Sequence, residues 1–258
     1  MKRIACLTLA LLLSFSLAAC GKQAKQTELY VFAAASLTET MDEIIEDYKA
    51  VAPEVTVIAT YDSSGTLLKQ IQEGAECDLF LSAAQKQMDA LDDTGALLVD
   101  TRVDLLENKV TLAVPAGNPK GIESFDQLAE LLKAGDVFLA IGNSDVPVGQ
   151  YTQKIFACCG LDEAALSPCL TYGSNVKEVA TQVSEGSVDC GIIYATDAAS
   201  AGLAVVDSAT EEMCGQVIYP AAVLAQSGHR SEAKAFLDYL RTAEAGKVFE
   251  GVGFTPLG

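Results

Sequence analysis

The chain has 258 residues, half of them hydrophobic and a fifth charged, an ordinary balance for a globular protein. Its formal net charge of −18 argues against a nucleic-acid binder, which needs a basic face. It also means that any bound anion must be held by local groups, because overall charge repels it.

The first residues read as a processed leader. Lys2-Arg3 is a basic n-region, Ile4 to Phe15 an apolar h-region, and Leu17-Ala18-Ala19-Cys20 follows. The apolar run is shorter than the roughly 20 residues a spanning helix needs. The tetrapeptide resembles the lipobox of bacterial lipoproteins, cut before the Cys, which then carries the lipid. The expectation is a signal peptide over residues 1–19, then lipidated Cys20 and a small polar tether over 20–27. Acyl chains on Cys20 would hold the protein at the outer face of the cell membrane. Loss of Lys2 and Arg3 takes the formal charge to −20.

From Glu28 to Ala34 the chain is strand-like, and Ser36 and Glu39 have the Ser-x-x-Glu spacing of a capping box. Leu37, Met41, Ile44, Ile45 and Tyr48 then fall on one helical face. Pro53 blocks continuation, and Val55 to Thr60 is a second strand. Ser63-Ser64-Gly65 opens a helix with Leu67, Leu68 and Ile71 inward, ended by Gly74. Cys77 to Leu81 is a third strand, and Ala84 to Leu98 reads as helical with a break at Gly95. Strand and helix alternate, which predicts a largely parallel sheet.

Lys109 to Val114 is a strand, placed at the first crossing between two lobes. Ser124 and Gln127 repeat the capping-box spacing, and Gly135 stops that helix. After a strand over Val137 to Ile141, Gly142 to Gly149 is a loop in which Pro147 suits a first helical turn. A helix follows from Gln150 to Cys159. Cys169 to Tyr172 is a short strand, and Asn175 with Glu178 caps the next helix. Val188 to Tyr194, Leu203 to Val206 and Val217 to Val223 are strands, the last returning to the first lobe. Helices from Glu232 to Arg241 and from Ala243 to Phe249 end the chain. Lobe 1 is expected to be residues 28–108 with 217–258, and lobe 2 residues 109–216.

Four of these segments lead a strand straight into a helix start: those at Ser36, Ser64, Val148 and Val176. A helix N-terminus presents unpaired N–H groups at the positive end of a dipole, so four together suggest an anion pocket. No enzyme motif competes. Ser63-Ser64-Gly65 lacks the G-x-S-x-G elbow, and the only histidine, His229, precedes a helix in a polar loop. Of eight cysteines, Cys77, Cys158, Cys159, Cys169, Cys190 and Cys214 remain after processing at Cys20. Buried free thiols are favoured over disulfides for these, and no C-x-x-C pair suggests zinc.

Blocks in register across nearly the whole mature chain resemble the molybdate-binding proteins of ABC transporters. They are Phe32-Ala33-Ala34-Ala35-Ser36-Leu37, Ser63-Ser64-Gly65-Thr66-Leu67, Gln70 to Ala75 and Asp78 to Ala83. Asp145 to Tyr151, Asn175-Val176, Gly191 to Ala198 and Tyr219-Pro220 continue the series. The resemblance implies a two-lobed α/β fold, the type II periplasmic-binding-protein fold, in which each lobe is a mainly parallel sheet flanked by helices. Its ligand, molybdate or tungstate, would lie in the interlobe cleft, with no cofactor and no catalysis. Ser36 and Ser64 would give hydroxyl and backbone N–H, Val148 and Val176 backbone N–H, and Tyr194 its phenol. The partners implied are an ABC permease with its ATPase and the membrane through Cys20, with the protein monomeric. Asp62 departs from the small neutral residue usual in the family and is expected to point away from the pocket. The competing readings are a binder mainly for tungstate or another tetrahedral oxyanion, and a surface module that kept the fold without transport.

Overall fold

The computed structural model describes residues 26–258; the expected signal peptide over 1–19 and the expected lipid site at Cys20 lie outside the described residues. β1 (Thr27–Ala34) runs through a single 3-10 turn, Ala35–Leu37, into α1 (Thr38–Val51), which buries Met41, Ile44 and Tyr48. β2 (Val55–Asp62) feeds α2 (Ser64–Gln72), and β3 (Leu79–Leu81) is followed by α3 (Gln85–Asp92). That third helix stops short of the expected Leu98: Gly95 takes a left-handed turn (φ 68°), and Leu97 bridges to Leu224 as a strand residue. β4 (Val103–Asn108) and β5 (Val110–Val114) are separated by Lys109 alone.

The middle of the chain holds α4 (Phe125–Ala134), β6 (Leu139–Gly142), α5 (Pro147–Cys158) and the single turn α6 (Glu163–Leu166). β7 (Leu170–Gly173) leads into α7 (Val176–Ser184), and β8 (Cys190–Tyr194) into α8 (Ala195–Ser200). β9 (Ala204–Ser208) and the short α9 (Glu211–Cys214) precede the return through β10 (Val217–Val223). α10 (Arg230–Leu240), α11 (Ala243–Val252) and β11 (Thr255–Pro256) complete the fold.

The strands form two sheets, one ordered β11-β4-β10-β3-β1-β2 and the other β7-β6-β8-β5-β9. Pairing is parallel through β2-β1-β3 and β7-β6-β8, as the alternation of strand and helix requires. The sheets are nevertheless mixed, and every antiparallel pairing involves β4, β5 or β10. These strands lie where the chain passes from one sheet to the other. They enter without the helical crossover that keeps neighbours parallel.

β1 lies inside its sheet and is covered on both faces, so it reads as an unbroken apolar run. Leu29, Val31 and Ala33 pack with Met41 and Ile44, whereas Phe32 joins Leu67, Ile71, Phe80 and Met88. The six described cysteines are free thiols. Cys77 and Cys190 are buried, and burial pushes each thiol up to about 12.

Candidate functional site

In the last register pairs of two parallel ladders, Ala34 lies beside Asp62 and Gly142 beside Gly173. Four loops therefore leave neighbouring strands at their C-terminal ends, two from each sheet, the position where open α/β sheets hold ligands. They meet around one small cavity. Ser36, Ser64, Val148, Val176 and Tyr194 all line it, together with Ser63, Ala83 and Pro147 among others. Its free space is far smaller than the roughly 300–1,000 Å³ of pockets for drug-sized ligands.

The local chemistry frees the groups that face this space. Ser63, not Ser64, caps α2: its Oγ accepts the Thr66 N–H at 3.2 Å. Ser64 is thus the first helical residue, and its fully buried Oγ accepts the Ala83 N–H at 2.9 Å. Asn175 caps α7 by accepting the Glu178 N–H at 3.1 Å, which makes Val176 the first residue of that helix. Pro147 opens α5, with Val148 second. Gly149 lets the preceding loop fold back onto this helix: a Cβ there would stand 2.2 Å and 2.3 Å from the carbonyl oxygens of Asn143 and Gly142. The N–H groups of Ser64, Val148 and Val176 have no intrahelical acceptor, since they belong to first turns.

The capping box expected from Ser36 and Glu39 does not form. Leu37 precedes α1, and no side chain caps it. Ser36 Oγ instead lies 2.9 Å from Tyr219 Oη on β10. Asn108 Nδ2, where the chain leaves the first sheet, donates to Tyr219 Oη at 3.3 Å and to Thr196 Oγ1 at 2.9 Å. Neither Asn108 nor Tyr219 stands out in the sequence as orienting Ser36, because the contact spans 183 residues.

Tyr194 ends β8, is 1% exposed, and stands edge-on to Tyr151 and Tyr219 with ring centroids 6.4 Å and 5.7 Å away. Its hydroxyl has no hydrogen-bond partner among the described residues. Burial first, then the neighbouring tyrosines, hold its pKa well above the ordinary value, so it is a permanent O–H donor. Leaving a buried hydroxyl unpaired costs about 1–3 kcal/mol. Tyr194→Phe is therefore expected to leave the free protein at least as stable as the parent, by up to ~1–3 kcal/mol. Urea unfolding without added anion checks this, and a loss of stability would show that the hydroxyl already has a partner.

Among the described residues, no lysine or arginine lines the cavity. Asp62 does not line it either; its Oδ1 accepts the adjacent Ser63 N–H at 2.7 Å. Cations stand outside, in pairs that join elements of the two sheets. Lys69 on α2 meets Asp145, just before α5, at 2.5 Å and holds that carboxyl below its usual range. Lys177, next to Val176, meets Glu39 on α1 at 2.7 Å and 2.8 Å. His229 is not among the lining residues, so Ser36 and Ser64 have no imidazole base beside them. A wider groove between Gln85 and Lys86 on one side and Gln150, Lys154 and Gln216 on the other holds no buried polar group without a partner.

A cleft of this kind, with helix starts from two α/β lobes converging on one small cavity, is that of a two-lobed binding protein. The chain belongs to the bacterial extracellular solute-binding protein family, whose sequence profile matches residues 29–255. It is 36% identical to the molybdate-binding protein ModA of Escherichia coli, over 94% of each chain. It is also 36% identical to YvgL of Bacillus subtilis, which carries the provisional name of an ABC transporter substrate-binding lipoprotein, over 90% of this chain and 87% of that one. In fold it matches the periplasmic molybdate-binding protein of Azotobacter vinelandii with a TM-score of 0.77, covering 89% of this chain and all of that one, at 19% identity.

Proposed function

We propose that this protein captures molybdate, and tungstate with it, outside the cell membrane and delivers it to an ABC permease with its ATPase. One observation carries the reading: the buried hydroxyl of Tyr194, without a partner among the described residues, lines a cavity ringed by helix first turns and, among those residues, by no cationic side chain. Burying a dianion is costly unless hydrogen bonds replace its water. Each helix N-terminus carries about half a positive charge, so four offset roughly two negative charges. That suits a chain whose net charge of −18 repels anions.

Hydrogen-bond directions then follow from what each oxygen already accepts. Ser64 Oγ takes the Ala83 N–H, which leaves its own proton for the ligand. Asn108 donates to Tyr219, Tyr219 to Ser36, and Ser36 to the anion. Val148 and Val176 give backbone N–H, and Tyr194 gives its phenol. A site of donors alone disfavours protonated phosphate, whose own hydrogen needs an acceptor. Sulfate is smaller, so fixed donors reach it poorly.

Residues 28–108 with 217–258 would close against residues 109–216, and the anion would stabilise the closed form by its differential affinity. Lipidation of Cys20 would keep the protein beside the permease, a reading supported by the lipoprotein name of YvgL. The protein would act as a monomer, without a cofactor and without catalysis. Titration calorimetry is expected to give far tighter binding of molybdate and tungstate than of sulfate or phosphate, with affinity much reduced in Tyr194→Phe. Sulfate binding as tightly as molybdate would overturn the proposal.

A further inference from the structure

Asp197, in the first turn of α8, is a buried carboxylate that the anion site does not use. It is 1% exposed, and neither of its oxygens has a well-formed hydrogen bond among the described residues. Its nearest cation is Lys177, whose Nζ stands 3.3 Å from Oδ1. The same ammonium reaches across the cleft to both oxygens of Glu39, at 2.7 Å and 2.8 Å. One lysine is thus divided between a carboxylate of its own lobe and one of the opposite lobe, immediately after the N–H donor Val176.

We infer that Lys177 is a positioning residue of the anion site: it latches the closed cleft by sharing its ammonium between Glu39 and Asp197, and falls back on Asp197 alone when the lobes part. The inference rests on the proposal that the cleft closes around an oxyanion. Glu39 supplies the attraction gained only on closure. Asp197 works against it in two ways, by repelling Glu39 across the shared cation and by giving Lys177 a partner in the open form. It also keeps the open mouth from presenting a bare ammonium that would draw in any small anion. Through Lys177 the latch holds the first turn of α7, and with it the Val176 N–H, against the other lobe.

The two carboxylates must therefore move release in opposite directions, which a merely structural role for either would not do. Stopped-flow release of molybdate is the measurement, on the parent protein, Glu39→Gln and Asp197→Asn at low and high salt. Glu39→Gln is expected to release molybdate about fivefold faster, to lose most of the salt dependence of release, and to leave association unchanged, the scale set by an exposed ion pair. Asp197→Asn is expected to release it about twofold more slowly. Both variants moving release in the same direction, or neither moving it, overturns the latch. If the parent takes up no molybdate, the reading of the ligand falls, and X-ray scattering of the same three proteins decides the latch. Expansion in Glu39→Gln and not in Asp197→Asn retains it, and any other pattern discards it.

Discussion

Replacing Gly65 with alanine is expected to weaken molybdate binding by about two orders of magnitude while leaving the fold intact. Gly65 is the second residue of α2, in the first lobe, and carries ordinary helical geometry. Its constraint comes from the second lobe. A Cβ at this position would stand 2.1 Å from the carbonyl oxygen of Asp145 and 3.0 Å from its carbonyl carbon. Both are backbone atoms, which no rotamer change can move aside. The same Asp145 holds Lys69 through its carboxylate, so the contact is a seam at which the lobes meet. A methyl group here must keep the cleft from seating fully. Overpacking of this kind costs about 1–3 kcal/mol, which at its upper end is roughly a hundredfold in affinity. Alanine is also the better helix former, so the free protein should melt no lower than the parent. Calorimetry and thermal unfolding on one sample test both halves, and parent-like affinity would show that closure does not depend on this contact.

Stability is expected to fall as pH rises through the range from about 4 to about 6, on account of Asp197. Burial raises its carboxyl to about 6 in the folded chain, partly opposed by Lys177; Glu39 adds to the rise. The tyrosines at the cleft, Tyr194 and Tyr219, stay neutral beside it, their pKa values raised by burial and by Asp197 itself. An unfolded aspartate titrates near 3.9, so between the two values the native chain holds a proton that the unfolded chain has lost. The native state is therefore favoured at the acid end of this window. The cost of the buried charge is complete above about pH 6, where it amounts to ~3 kcal/mol. Asp197→Asn removes that cost, so denaturant unfolding should show it more stable than the parent by ~3 kcal/mol at pH 7.5 and by only ~1 kcal/mol at pH 4.5. A variant that is equally destabilised at both would show instead that the charge is needed for folding.

Much of the candidate site was legible because it is built from local signals. The strand-to-helix turns at Ser36, Ser64, Val148 and Val176 announce themselves by apolar runs followed by small or capping residues. The caps at Ser124 and Asn175 form as their spacing predicts, with Oγ and Oδ1 accepting the N–H three residues on. Pro147 begins its helix where a residue without an N–H costs nothing. The same rules misread Ser36 and Glu39, whose spacing matches a capping box but whose side chains answer to Tyr219 and Lys177 far along the chain. β4 escaped notice because Asp104, Glu107 and Asn108 mask its alternation; it is a strand because β10 and β11 pair with it. α8, with its buried Asp197, was hidden for the same kind of reason, a short segment stabilised by what it packs against.

By itself the sequence determined an α/β chain with several helix starts able to face an anion, because capping, periodicity and turn chemistry act over a few residues. Tertiary structure decided what those starts do together. It brought two turns from each sheet to one cavity, left the Tyr194 hydroxyl there without a partner among the described residues, and turned Asp62 onto the Ser63 N–H. It also set Gly65 against Asp145 and Lys177 between two carboxylates of different lobes. Contacts of this kind depend on how the two sheets are brought face to face, and no local pattern of residues encodes that.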